Sequence, residues 1–142
     1  MIYKDRETSE IEEKAKKTQG STFLIEDVDA SILNTIKYLY PKNKIHIKLE
    51  TQELTSLCPF SGLPDFAFLT IEYTPLEKIV ELKSLKYYLY AFRNVKVYNE
   101  HLVNKIMQDL KKVLNPASLK VEAEFTNRGG ITNKVSASYQ AK

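Results

Sequence analysis

The sequence predicts an α+β domain: a four-stranded antiparallel sheet with two helices on one face, in the order strand, strand, helix, helix, strand, strand. Three observations predict it. Apolar residues alternate at a period of two in two pairs of runs, over 45–73 and 119–139. Between those runs the apolar period lengthens to that of a helix, twice over. Each pair of alternating runs is joined by a glycine-containing segment, as a hairpin requires.

The elements follow in order. Residues 1–20 are polar and charged and read as a mobile lead-in, with residues 21–142 as one folded domain. Glu10 to Lys17 suits a marginal helix with little apolar surface to dock. Ile32, Leu33, Ile36, Leu39 and Tyr40 recur at helix-like spacing, so a short helix or covering segment is expected before Pro41. Ile45, Ile47 and Leu49 alternate with His46, Lys48 and Glu50, which marks a half-buried strand. Ala67, Leu69, Ile71 and Tyr73 form the inner face of the next strand, and Phe66 and Phe68 predict cover on its other face near the start. Leu82, Leu85, Leu89 and Phe92 make the first helical stripe. Val103, Ile106, Met107, Leu110, Val113 and Leu114 make the second, with Asn99 as expected N-cap and Asn115-Pro116 as stop. Leu119, Val121, Ala123 and Phe125 give the third strand, Asn127 to Gly130 the turn, and Val135, Ala137 and Tyr139 the last strand. An open sheet of this kind leaves two edges unpaired, so association of several copies into a ring is expected.

At 142 residues the chain can bury about 70% of its unfolded surface without disulfide or metal support. The net charge of +3, from 21 basic and 18 acidic residues, is too balanced to argue for nucleic acid. No apolar run approaches the roughly 18 residues of a membrane span, and nothing at the N-terminus resembles a secretion signal. A single cysteine excludes an internal disulfide and fits a reducing compartment, so a cytoplasmic location is expected. The nine tyrosines suit strands, interfaces and ligand stacking alike.

That cysteine, Cys58, sits in a stiff segment, Leu57-Cys58-Pro59-Phe60-Ser61-Gly62-Leu63-Pro64-Asp65. A lone thiol with a carboxylate on the same loop is a candidate nucleophile with its own proton carrier; a buried, inert thiol is the alternative. Lys83 and Lys86 share a helix face, with Ser84 between them near a helix N-terminus, an arrangement suited to phosphate or to an ordinary solvated face. Glu100 opens the second helix, where the dipole favours a carboxylate, and its two oxygens also match the N–H edge of a guanine-like base. Arg128 precedes Gly129-Gly130 and reaches either a phosphate or water. His46, His101 and Cys58 match no zinc spacing, and neither a Rossmann fingerprint nor a Walker loop is present.

Together these segments resemble one family. Cys58-Pro59-x-Ser61-Gly62-x-Pro64-Asp65-Phe66-Ala67, Glu81-Leu82-Lys83-Ser84-Leu85-Lys86-Tyr87-Tyr88, Phe92-Arg93-Asn94, Glu100 and Phe125-Thr126-x-Arg128-Gly129-Gly130 stand in the order of the NADPH-dependent 7-cyano-7-deazaguanine reductases, the QueF nitrile reductases of tRNA queuosine biosynthesis. The resemblance covers about Ile45 to Ile131 and fits the single-module subclass. It implies a tunnelling fold (T-fold) catalytic domain over 21–142, stacked rings, and active sites between subunits. It implies Cys58 as nucleophile and Asp65 as proton donor. Val80, Glu81, Leu82, Asn99 and Glu100 would bind the deazaguanine, and Lys83, Ser84, Lys86 and Arg128 would hold NADPH. No metal, membrane or direct nucleic-acid partner is implied. Asn99 departs from the family, which usually has histidine before the base-binding glutamate; an amide hydrogen-bonds but carries no proton. Two rival readings stand beside this one: another T-fold enzyme acting on a pterin or purine, and a non-enzymatic ring-forming binding protein.

Overall fold

The computed structural model of the protein describes residues 24–142. The expected lead-in over 1–20, and the helix over Glu10 to Lys17, lie outside the described residues. Six strands and two α-helices follow two short 3-10 turns, Ile25–Asp27 and Ala30–Ile32. The main sheet has the order β2-β3-β5-β6, from β2 (Ile47–Leu57), β3 (Pro64–Thr74), β5 (Ser118–Arg128) and β6 (Ile131–Gln140). Every pairing in it is antiparallel. The helices α1 (Leu82–Tyr90) and α2 (Asn99–Leu114) occupy the segment between the two hairpins. No helix among the described residues is long and apolar enough to cross a membrane.

Alternation decides which face is covered. Leu54, Ala67, Leu69, Ile71, Leu119, Val121, Ala123 and Phe125 are buried on one side of the sheet. They pack with Leu85, Tyr88 and Leu89 of α1 and with Leu102, Val103, Ile106, Leu110 and Leu114 of α2. Each such valine, leucine, isoleucine or phenylalanine stabilises the fold by about 1.5–3 kcal/mol relative to exposure. A buried polar link ties the helices together. The Tyr88 hydroxyl donates to Asp109 at 2.6 Å, and Lys105 pairs with the same carboxylate at 3.0 Å. Burial, then the Asp109 charge, pushes the Tyr88 hydroxyl well above its ordinary pKa, so it remains a donor.

The opposite face carries charge at its middle, with Lys120 and Lys134 both pairing to Glu122 at 3.5 Å. Nearer the first hairpin it carries Phe66 and Phe68, 50% and 37% exposed. The expectation that β3 is covered on both faces near its start is therefore not met within one chain.

Four further expectations are corrected. Of the short helix or covering segment expected over Ser31 to Tyr40, the helix is replaced by the 3-10 turn and β1 (Thr35–Lys37), which pairs with β4 (Lys78–Val80) in a separate two-stranded sheet, while Ile32 and Leu33 do cover the core. Tyr98, not Asn99, is the N-cap of α2: the Tyr98 carbonyl accepts from the His101 and Leu102 amides, and no side chain caps. Strand β5 runs to Arg128, leaving only Gly129 and Gly130, at φ 59° and 77°, for the turn; both glycines supply the left-handed conformation a two-residue hairpin needs. Asp65 belongs to β3 rather than to the cysteine loop. Asn115 does end α2, in the left-handed region at φ 44°.

Candidate active site

Cys58 stands at the turn between β2 and β3. The turn closes on itself: the Cys58 amide donates to the Leu63 carbonyl, and the Gly62 amide to the Cys58 carbonyl, both at 2.9 Å. Gly62 has φ 70°, which a side chain would resist. The hairpin end is anchored sideways, where the Leu57 amide donates to Val95 and its carbonyl accepts from Val97. The thiol is thus carried on fixed backbone and is only half-buried.

Its electrostatics favour the thiolate. The Ser61 hydroxyl, then the Ser61 and Phe60 backbone amides, hold the Cys58 pKa below its ordinary value. Desolvation and the Asp65 carboxylate oppose them and are weaker. Donors to the charged form lower a pKa, so removing one raises it. Alkylation of Ser61→Ala by iodoacetamide is expected to reach half its maximal rate at a higher pH than in the wild type. An unchanged or lower midpoint would show that the Ser61 hydroxyl does not govern the thiolate.

Asp65 lies across the hairpin, with its side chain 13% exposed and one oxygen 2.9 Å from Arg128 Nε. The same guanidinium donates to the Pro64 carbonyl through Nη2. Arg128, expected at a cofactor phosphate, is instead engaged at the proposed proton donor. Above the loop, the Phe60 ring meets Tyr98 edge-on at 6.0 Å, and Tyr98 meets His101 at 5.8 Å. Tyr98 immediately precedes α2, so this contact brings the Glu100 helix start to the cysteine loop. Glu100 is exposed, and its Oε1 lies 3.5 Å from Asn133 Nδ2 on β6.

The second expected group stands elsewhere. Val80 donates its amide to the Tyr73 hydroxyl at 3.0 Å, near the far end of β3. Asp65 and Tyr73 are separated along that strand by about 25 Å at about 3.3 Å per residue. The Glu81 side chain caps α1, accepting from the Lys83 and Ser84 amides at 2.8 and 2.7 Å. Those amides are therefore not offered to an anion, and the expected phosphate site at this helix N-terminus is corrected. Ser84 is fully buried, with its hydroxyl spent on Asn34 and on the Glu81 carbonyl. Lys83 and Lys86 are exposed on α1. A cleft of about 370 Å³ runs between α1 and the middle of β2, lined by Leu49, Leu69, Leu82, Leu85, Lys86 and Tyr90.

A family model described as "QueF-like protein" matches residues 64–142. The chain belongs to the QueF-like family. It is 50% identical over 115 residues to the NADPH-dependent 7-cyano-7-deazaguanine reductase of Caldicellulosiruptor bescii, covering 81% of this chain and 88% of that protein. It is 43% identical over 128 residues to the enzyme of the same name from Thermoanaerobacter pseudethanolicus, covering 90% and 96%. Among solved structures, the apo form of the archaeosine synthase QueF-Like aligns with a TM-score of 0.60 at 21% identity, over 70% of this chain and 95% of that one. That likeness shows the fold, the T-fold expected from the sequence.

Within this QueF-like frame, one chain gathers Cys58, Asp65, Arg128 and the Glu100 helix start at one end of the sheet. It leaves Val80 and Glu81 toward the other, beside Tyr73, while Leu82 and Lys86 border the cleft at the middle of β2. Sequence reasoning missed the Asp65–Arg128 ion pair and the contact of Asn133 with Glu100. Neither has a local signal, because the partners are far apart along the chain and meet only through strand pairing. Ser61 was visible as a loop residue, and its hydroxyl so close to the thiol in sequence was the available clue.

Proposed function

We propose that the chain is a nitrile oxidoreductase that reduces 7-cyano-7-deazaguanine to 7-aminomethyl-7-deazaguanine with two NADPH, through a thioimide on Cys58, in cytoplasmic tRNA queuosine biosynthesis. The observation that carries this reading is a thiol of lowered pKa on the turn of the hairpin that holds Asp65, in a chain 50% identical over 115 residues to a reductase of that name.

A nitrile carbon is a poor hydride acceptor, and addition of sulfur makes it a better one. The Cys58 thiolate attacks that carbon, the π pair moves to nitrogen, and the nitrogen takes up from solvent the equivalent of the proton that the thiol lost on ionising, giving a neutral thioimide. Bound NADPH supplies hydride at each of the two reduction steps. As the thioimide carbon is reduced, Asp65 gives its proton to the nitrogen. The resulting tetrahedral centre collapses, its nitrogen lone pair expelling the Cys58 thiolate, and the released iminium is reduced to the primary amine. Closure of the pocket keeps water from hydrolysing it. Glu100 accepts the N–H edge of the base, with Asn99 hydrogen-bonding beside it. With an amide at position 99, proton handling falls to Asp65.

The exposed Lys83 and Lys86 ammonium groups fit the phosphates of NADPH as point charges. Val80, Glu81 and Leu82 serve the substrate from the segment just before them. The span of about 25 Å between Asp65 and Tyr73, which holds Val80, supports sites completed by neighbouring copies, in a ring closed through the edge strands β2 and β6, the Leu57 end of β2 being already occupied by Val95 and Val97.

A subunit-mixing experiment tests this. The wild type is expected to oxidise two NADPH per 7-cyano-7-deazaguanine consumed. Cys58→Ala and the Lys83→Ala/Lys86→Ala double variant should each be inactive alone and regain turnover when dissociated and reassembled together. A mixture as inactive as its components would show that the site is built within one chain.

A further inference from the structure

Ser56 lies two residues before Cys58 and is 0% exposed. Among the described residues its Oγ has no hydrogen-bond partner. A buried hydroxyl in this state is destabilising and calls for a reason. Because it is covered within its own chain, neither bulk water nor a neighbouring copy supplies the missing bond. Its register partner is Asp65. Directly opposed residues of an antiparallel pair project to the same face. The pair two residues further along that face, Leu54 and Ala67, is buried in the core. Ser56 and Asp65 therefore share the inner face at the hairpin end, beside the nucleophile.

We infer that Ser56 is a positioning residue for proton transfer at Asp65, its Oγ–H turning to the carboxylate as the proton leaves. The inference rests on the nitrile reductase reading. In the step concerned, hydride adds to the thioimide carbon, the C=N π pair moves to nitrogen, and the Asp65 O–H bond breaks to protonate that nitrogen. The carboxylate left behind then accepts from Ser56 on the inner side and stays paired with Arg128 from β5. The other charged or titratable groups at this end of the sheet are Cys58 on the turn, Glu100 and His101 at the start of α2, and exposed Lys96, whose segment bridges to Leu57. The structure pairs the Asp65 carboxylate with Arg128, and the unpartnered Ser56 hydroxyl is a second donor available to it on the inner side.

Ser56→Ala tests this. Deleting an unpartnered hydroxyl leaves the melting temperature unchanged or higher. The covalent adduct with 7-cyano-7-deazaguanine, formed without NADPH, should accumulate to the wild-type extent. Single-turnover reduction of that adduct should slow about tenfold, the loss expected for a hydrogen bond to a charged group. The alkaline limb of its pH profile should move upward, because a donor that favours the carboxylate is gone. Wild-type reduction rates with an unmoved limb would overturn the inference while leaving the reductase reading intact. A lowered melting temperature would also overturn it, by assigning the hydroxyl to the fold. Absence of adduct in the wild type itself would fail the reductase reading, and the inference with it.

Discussion

Cys58→Ala is expected to abolish both turnover and covalent capture of 7-cyano-7-deazaguanine, with no loss of fold. The chemistry leaves no substitute: Cys58 is the only cysteine, and no other side chain offers sulfur at this turn. The fold survives because the turn is held by backbone bonds, Cys58 amide to Leu63 and Gly62 amide to Cys58, which alanine keeps. The half-buried thiol contributes little packing, so stability should stay within about 0.5 kcal/mol of wild type. Chemical denaturation checks that part, and NADPH oxidation checks the activity. Residual turnover near the wild-type rate would remove the nucleophile from the account.

Asp65→Asn separates proton delivery from bond formation. The Asp65 charge opposes the Cys58 thiolate, so its removal leaves the thiol at least as easily ionised. The thioimide should therefore still form. Its reduction should slow by about 10²–10⁴-fold, the usual contribution of a positioned general acid. Asparagine is close to isosteric and still accepts from Arg128, although the ion pair at 2.9 Å is lost. Rapid-mixing measurements at saturating NADPH distinguish the two steps. Unimpaired reduction would mean that the proton comes from elsewhere.

What could be read in advance follows from the range of the forces involved. The four long strands and both helices were legible because their apolar spacing is local, as in Val121, Ala123 and Phe125 against Lys120, Glu122 and Glu124. The pairing of β1 with β4 was not, because strands as short as Thr35–Lys37 show no alternation, and their partner is distant along the chain. Ile36 and Leu39 mimicked a helix face and are exposed instead, at 50% and 72%. Asn99 carried the right chemistry for a cap, but the backbone turns one residue earlier, where the Tyr98 ring lies between Phe60 and His101. At the site, Cys58 and Asp65 were legible as a motif. The employment of Arg128 and the burial of Ser84 were not, since each depends on a partner that folding brings in, Asp65 for one and Asn34 for the other.

Intact-protein and peptide mass spectrometry on the protein mixed with 7-cyano-7-deazaguanine, without NADPH, tests the central claim most directly. A gain of one substrate mass, confined to the Cys58 peptide and missing in Cys58→Ala, is the predicted result. An unshifted mass under saturating nitrile, or an adduct that persists without the sulfur, would contradict it.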